Sequence, residues 1–302
     1  MCGIVGFLDR TGGERQTLGQ VLLKMLTALG CRGPDSAGVA LYGNPAASGV
    51  VVRVKLGERG AFDEKGQQVA ERVRSLASLS EFSTKAEYLR MVVDGPGDPE
   101  ALARSIEALD GGLEVVSMGR RLEIIKQVGS PQDLETTHGI SRLKGTHGIG
   151  HTRLSTESRV DLSHSQPFWA HGHLDLATAH NGHICNYHKL RRRYEQRGVR
   201  FYTENDSEII GIYLAERLSQ GMTLEEALKA SLVDLDGSFS YLAATPDALG
   251  FAKDPFALKP LLVAETDTFV ALATEEVAIR AALPDVYDAR EAQAKEVRVW
   301  RS

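Results

Sequence analysis

Met1-Cys2-Gly3-Ile4-Val5-Gly6-Phe7-Leu8 puts a thiol at the second position of the chain, at the head of a short apolar run. Such a run reads as a buried strand carrying Cys2 at its start. Removal of Met1 would leave Cys2 with a thiol and a free α-amine, a nucleophile and a candidate base on one residue. A free thiol has a pKa of roughly 8.5 and an α-amine one of about 7.7–8.0, so the amine is matched to take the thiol proton near neutral pH. Position alone fits an incidental cysteine as well. The segments that follow decide the reading.

Gln16 to Gly30 carries Leu18, Val21, Leu22, Met25, Leu26 and Leu29 on one helical face, with Gly30 to end it. Cys31-Arg32-Gly33-Pro34-Asp35-Ser36 then reads either as a plain turn or as a loop that places Arg32 beside the cysteine. A strand candidate at 147–151 leads into His151-Thr152-Arg153-Leu154-Ser155-Thr156. An arginine at a strand end can hold a carboxylate through two parallel N–H bonds, or simply join a surface ion pair.

His180-Asn181-Gly182 follows a strand candidate at 174–180. Asn-Gly is a hairpin-turn signal; alternatively, the Asn181 amide and the Gly182 N–H are donors for an oxyanion. Asn205-Asp206-Ser207-Glu208 opens a helix expected over 206–220. Its acids read as helix capping, or as a setting of Asp206 against an ammonium. Further helices are expected at 187–198 and 224–235.

From about Asn44 to Leu143 the character changes. Strand candidates at 50–55, 88–93, 113–118 and 121–128 alternate with helical stretches at 63–79 and 99–109, and 88–128 reads as β-α-β-β. Many strands with a few amphipathic helices argue for layered sheets covered by helices.

Composition narrows the classes. The chain has 302 residues, 42% hydrophobic and 25% charged, which suits one large globular domain or two modest ones. A net charge of −5 gives no basic footprint for nucleic acid or an anionic membrane. No apolar run approaches the roughly 20 residues of a membrane span. Cys2, Cys31 and Cys185 are an odd set without paired spacing, which fits a reducing cytoplasm and no zinc site or cluster. The nine histidines form no metal-binding motif, so no metal is expected.

Taken in order, these segments resemble the class II glutamine amidotransferase domain, an N-terminal-nucleophile hydrolase. The resemblance covers about residues 2–43 and 145–283. It also includes Ser165-Gln166-Pro167-Phe168, Asp236-Gly237-Ser238-Phe239, Lys253-Asp254-Pro255 to Lys259-Pro260-Leu261, and Ala273-Thr274-Glu275-Glu276. It implies an α+β fold, a four-layer αββα sandwich of two antiparallel sheets spanning 2–302, with a small α/β insertion at 44–143. It also implies glutamine hydrolysis by Cys2, with Asn181 and Gly182 stabilising the oxyanion. Arg153 would bind the α-carboxylate of glutamine, Asp206 its α-ammonium, and Thr156 would position the substrate; Arg32 would support the nucleophile loop. Leu154 stands where relatives often have an aromatic.

The long insertion tilts the resemblance toward glutamate-synthase-like glutaminases. The expected setting is therefore a cytoplasmic hetero-oligomer, such as N-methylglutamate synthase. In it this subunit, without a cofactor of its own, would deliver ammonia to synthase subunits carrying FMN and iron–sulfur clusters. Other readings are a glutaminase partner of a different amidotransferase and a non-catalytic regulatory subunit.

Overall fold

Ile4, Val5, Phe7 and Leu8 are all buried, as a strand covered on both faces requires. The computed structural model describes residues 2–12, 16–46, 48–155 and 159–302. In it the strand Gly3–Asp9 lies in the middle of a seven-stranded sheet. The sheet order is Ala289–Glu291, Leu262–Glu265, Phe269–Ala273, Gly3–Asp9, His147–Arg153, Ser36–Tyr42 and Leu122–Val128. A second sheet of five strands runs Val297–Arg301, Ala248–Lys253, Gly237–Thr245, Ala177–Ile184 and Phe168–Trp169. The ladders of both sheets are antiparallel.

The alternation of side chains along Gly3–Asp9 explains the layers. Ile4 and Leu8 point into the core between the sheets, where they meet Ile149, Leu242, Leu249 and Phe251. Val5 and Phe7 point the other way, into a core shared with Val21, Leu22, Met25 and Leu26. Those four lie on helix Leu18–Ala28, which starts at a capping box between Thr17 and Gln20. On the far side, helices Tyr187–Glu195, Glu208–Ser219 and Leu224–Asp234 cover Phe239 and Tyr241 of the second sheet. The result is the expected αββα sandwich. Each fully buried aliphatic side chain in it contributes about 1.5–3 kcal/mol.

The stretch 44–143 supplies two places. Strands Ser78–Lys85, Tyr88–Asp94, Val50–Lys55 and Glu114–Gly119 form a third, separate sheet, accompanied by helices Phe62–Arg74 and Pro99–Glu107. Strand Leu122–Val128, by contrast, pairs with Ser36–Tyr42 as the edge of the seven-stranded sheet. The expected β-α-β-β order of 88–128 is present, but its last strand belongs to the sandwich. Two elements differ from expectation. The helix read over 63–79 stops at Arg74, and Ser78–Lys85 is a polar edge strand joined to its neighbour by a turn at Ala86 (φ 49°). Helix Pro131–His138 was not expected, although Ser130 and Asp133 form a capping box with proline in its first turn.

Two histidines are sealed in this core. His147 stacks on Tyr42 at 4.4 Å, and its Nε2 lies 2.7 Å from the Thr245 carbonyl. His151 Nε2 lies 3.2 Å from the His180 carbonyl of the facing sheet. Burial lowers the His147 pKa to about 4 and the His151 pKa to about 3. The unfolded chain therefore takes up their protons first as pH falls. The stability these neutral rings provide is complete above pH ~6.5 and is lost toward the folded-state values. For His151 the loss between pH 7 and 5 is about 2 kcal/mol. Urea unfolding at the two pH values should show a wild-type stability change larger by about that amount than the change in His151→Gln. An identical change in both proteins would refute the assignment.

Candidate active site

Cys2 leads into the central strand at the end where Gly3 pairs with Thr152. Its neighbours hold it there. Ile4 N donates to Thr274 Oγ1 at 2.8 Å, and Thr274 N returns a bond to the Ile4 carbonyl at 3.0 Å. The Cys2 thiol donates to the Leu154 carbonyl at 3.7 Å. Gly33 of the Arg-Gly-Pro-Asp loop packs onto the next strand so closely that a Cβ there would lie 2.4 Å from the Thr152 carbonyl carbon. Asp35 then accepts the Ser155 N–H at 2.7 Å, which orders the chain just beyond Arg153.

Across the gap between the sheets, Asn181 Nδ2 donates to the Cys2 carbonyl at 3.2 Å. An amide nitrogen carries two hydrogens, so one donor remains for a ligand. Asn181 and Gly182 do not form a hairpin turn. Both lie inside strand Ala177–Ile184, opposite Ser240 and Phe239. Gly182 has φ +136°, a conformation that side chains rarely adopt, and a Cβ there would lie 2.2 Å from the Ser238 carbonyl oxygen. Glycine is therefore required by both backbone and space.

Asp206 sits just ahead of helix Glu208–Ser219, and its Oδ2 accepts the Ile184 N–H at 2.7 Å. Behind it, Ser207 Oγ bonds His180 Nδ1 at 2.8 Å and accepts from Gln166 Nε2 at 3.1 Å. Gln166 also brackets the His180 backbone, accepting its N–H at 2.7 Å and donating to its carbonyl at 3.2 Å. Burial lowers the pKa of His180 and keeps the imidazole neutral, so Asp206 faces no second cation from it. Arg153 is 4% exposed and donates through Nη1 to the Arg159 carbonyl at 2.8 Å. Burial lowers the guanidinium's pKa, against the pull of Cys2, Asp161 and Asp35; arginine stays charged regardless.

Cys2, Arg153, Asn181, Gly182 and Asp206 thus line one cleft of about 670 Å³. These five residues offer one thiol, one guanidinium, one carboxylate and two amide donors, the complement of a zwitterionic amino acid with a neutral side-chain amide; Cys185, Glu204 and Lys259 also border the cleft. Two expected residues stand apart. Arg32 does not line the cleft; it forms an ion pair with Glu275, next to the Thr274 that bonds Ile4. Thr156 lies outside the described residues. Gln166, His180, Ser207 and Lys259 also line the cleft and were not singled out as site residues. All four fall inside segments that carried the resemblance, which was the available signal. Among the described residues no cluster of histidine, cysteine, aspartate or glutamate is placed to hold a metal, and no helix is long and apolar enough to cross a membrane.

Residues 151–281 match the family model described as glutamine amidotransferase domain. Over 306 residues, 99% of each chain, the protein is 35% identical to a putative glutamine amidotransferase of Methanothermobacter thermautotrophicus. It belongs to the glutamine amidotransferase family, and within it to the class II enzymes with the N-terminal-nucleophile hydrolase fold. Among particular relatives, it is 35% identical over 291 residues to the glutamine amidotransferase-like protein GlxB of Rhizobium meliloti, covering 96% of this chain and 94% of that one. With an amidophosphoribosyltransferase of Staphylococcus aureus it shares 36% identity over 173 residues, 56% of this chain and 35% of that one. The solved glutamine phosphoribosylpyrophosphate amidotransferase from B. subtilis shares the fold, with a TM-score of 0.64 at 20% identity. That match covers 99% of this chain and 47% of the other, so this protein spans about half its length.

Proposed function

We propose that this chain hydrolyses glutamine to glutamate and ammonia through a thioester on Cys2, and passes the ammonia to a partner synthase. The observation that carries this reading is the convergence of Cys2, Arg153, Asn181, Gly182 and Asp206 on one cleft. With Met1 removed, the Cys2 amine takes the thiol proton, directly or through a water. Sγ attacks the side-chain amide carbon, and the Asn181 amide and Gly182 N–H bind the oxygen as it gains charge. The C–N bond then breaks, the proton held by the amine goes to the leaving nitrogen, and ammonia departs. Water attacks the γ-glutamyl thioester, returning the Cys2 thiol and releasing glutamate. Arg153 holds the substrate α-carboxylate and Asp206 its α-ammonium, while Arg32 steadies the nucleophile strand through Glu275.

Ammonia released into water at neutral pH is mostly ammonium and no longer a nucleophile, which favours a docked acceptor. A glutamate-synthase-like complex, N-methylglutamate synthase among them, fits the long insertion; FMN and iron–sulfur clusters would then reside on the partner subunits in the cytoplasm. Steady-state kinetics test the substrate assignment. Arg153→Lys and Asp206→Asn each lose a charge-assisted contact, so KM for glutamine should rise by roughly 10- to 100-fold. A wild-type KM in both would remove the amino-acid head group from the site.

A further inference from the structure

Between the cleft and the third sheet runs the segment 159–165, and its two sides hold different things. On the cleft side, the Arg159 carbonyl accepts from Arg153 Nη1 at 2.8 Å, and His164 Nε2 lies 3.3 Å from Glu204, which lines the cleft. On the other side, Ser163 Oγ accepts from Lys55 Nζ at 2.6 Å and donates to Glu114. Lys55 and Glu114 belong to adjacent strands of the third sheet and are only 7% and 8% exposed. Burial raises the Glu114 pKa, yet Lys126, Lys55, the Ser163 hydrogen bond and His171 together more than offset it and hold the carboxyl below its usual range. The hydroxyl is therefore inserted between a buried cation and a buried anion, donating to one and accepting from the other. Lys55 also pairs with Glu58 at 3.2 Å and with Glu114 itself at 3.6 Å, so the hydroxyl completes a buried ion pair that is already in contact.

From Asp161 to Ser165 the segment is tied to itself. Asp161 Oδ1 accepts both the His164 N–H, at 2.8 Å, and the ring Nδ1, at 2.7 Å. Ser165 Oγ donates back to the Asp161 carbonyl at 2.7 Å, and Leu162 is sunk in the core shared by the sandwich and the third sheet. The half-exposed Val160 alone separates this knot from Arg159, so a shift at Ser163 has one residue to cross before it reaches the carbonyl that Arg153 bonds.

We propose that Ser163, clamped between Lys55 and Glu114, is a positioning residue that sets the affinity for glutamine by fixing the segment against which Arg153 is aligned. Among the described residues none of 44–143 lines the cleft, so this clamp gives the insertion a part in substrate binding without contact. The inference rests on the reading that Arg153 holds the substrate carboxylate.

The test is glutaminase kinetics on the full chain. In Ser163→Ala and in Lys55→Met, KM for glutamine should rise about tenfold with kcat within twofold, because a charge-assisted contact is misaligned and the chemistry is not. Ser163→Thr, which keeps the hydroxyl, should restore the wild-type KM. Leu162 keeps the segment packed in the core in all three variants, so the expected effect is a shift of the segment and not its loss. Alkylation of Cys2 by iodoacetamide at the wild-type rate checks that the site has formed, and higher glutamine concentrations should then be needed to protect it. Wild-type KM in both Ser163→Ala and Lys55→Met, with a raised KM in Arg153→Lys, overturns the clamp and leaves the substrate assignment intact. A wild-type KM in Arg153→Lys overturns the assignment itself. A matched fall in kcat and in alkylation rate, without recovery in Ser163→Thr, reduces Ser163 to a structural residue and also overturns the clamp.

Discussion

Cys2→Ala should release no glutamate from glutamine above background, a loss of at least about 10³-fold in kcat. The strand that carries the residue is fixed by its ladder partners and by Thr274, and the Asn181 amide bonds the Cys2 backbone carbonyl rather than its side chain. The substitution therefore removes the sulfur and leaves the cleft standing. Glutamine binding, measured by calorimetry, should survive within a few-fold. In the proposed complex with a synthase, activity with added ammonium should persist while glutamine-dependent activity disappears. Retained turnover would point to another nucleophile; Cys185 lines the same cleft and would be the first to replace.

The second large effect concerns the proposed oxyanion donors, and two variants separate donor loss from strain. Asn181→Ala removes a side-chain donor from a strand whose backbone it leaves alone, so kcat should fall by roughly 10²–10³ with little change in KM. Gly182→Ala does more. Its Cβ would lie 2.2 Å from the Ser238 carbonyl oxygen and 2.7 Å from Phe239 Cα, at a φ of +136°. The ladder between Ala177–Ile184 and Gly237–Thr245 must shift to accept it. Gly182→Ala should therefore lose activity as Asn181→Ala does, and also about 3 kcal/mol of stability in urea unfolding. Equal stability of the two variants would mean that the Gly182 conformation is not what constrains this position.

Much of this arrangement was legible in the sequence because the signals there are local and physical. The apolar run after Cys2 has hydrophobic side chains on both faces, and the structure covers both. The periodicity of Leu18 to Leu29 gives the helix that covers one of them. Other features depend on tertiary neighbours and had no local signal. Asn-Gly suggests a turn, and only the strand beside it explains why Gly182 sits mid-strand with a positive φ. Leu122–Val128 follows the insertion's strands in the chain yet pairs with Ser36–Tyr42, a choice set by burial between the layers. Ser78–Lys85 is too polar to announce itself as a strand and forms as an edge against Tyr88–Asp94. Gln166, His180 and Ser207 lie in segments that carried the resemblance, but nothing in the local sequence says that they meet. They become a support for Asp206 only when the segment before Phe168 is folded across the end of the second sheet.

The central claim is that Cys2, as the N-terminal residue, forms a γ-glutamyl thioester. Acid quenching of the enzyme during glutamine turnover, followed by peptide mass spectrometry, tests it most directly. The account predicts an N-terminal peptide that begins at Cys2, lacks Met1 and carries one glutamyl group on sulfur. An active enzyme that retains Met1, or a glutamyl group found on Cys185 instead, would contradict it.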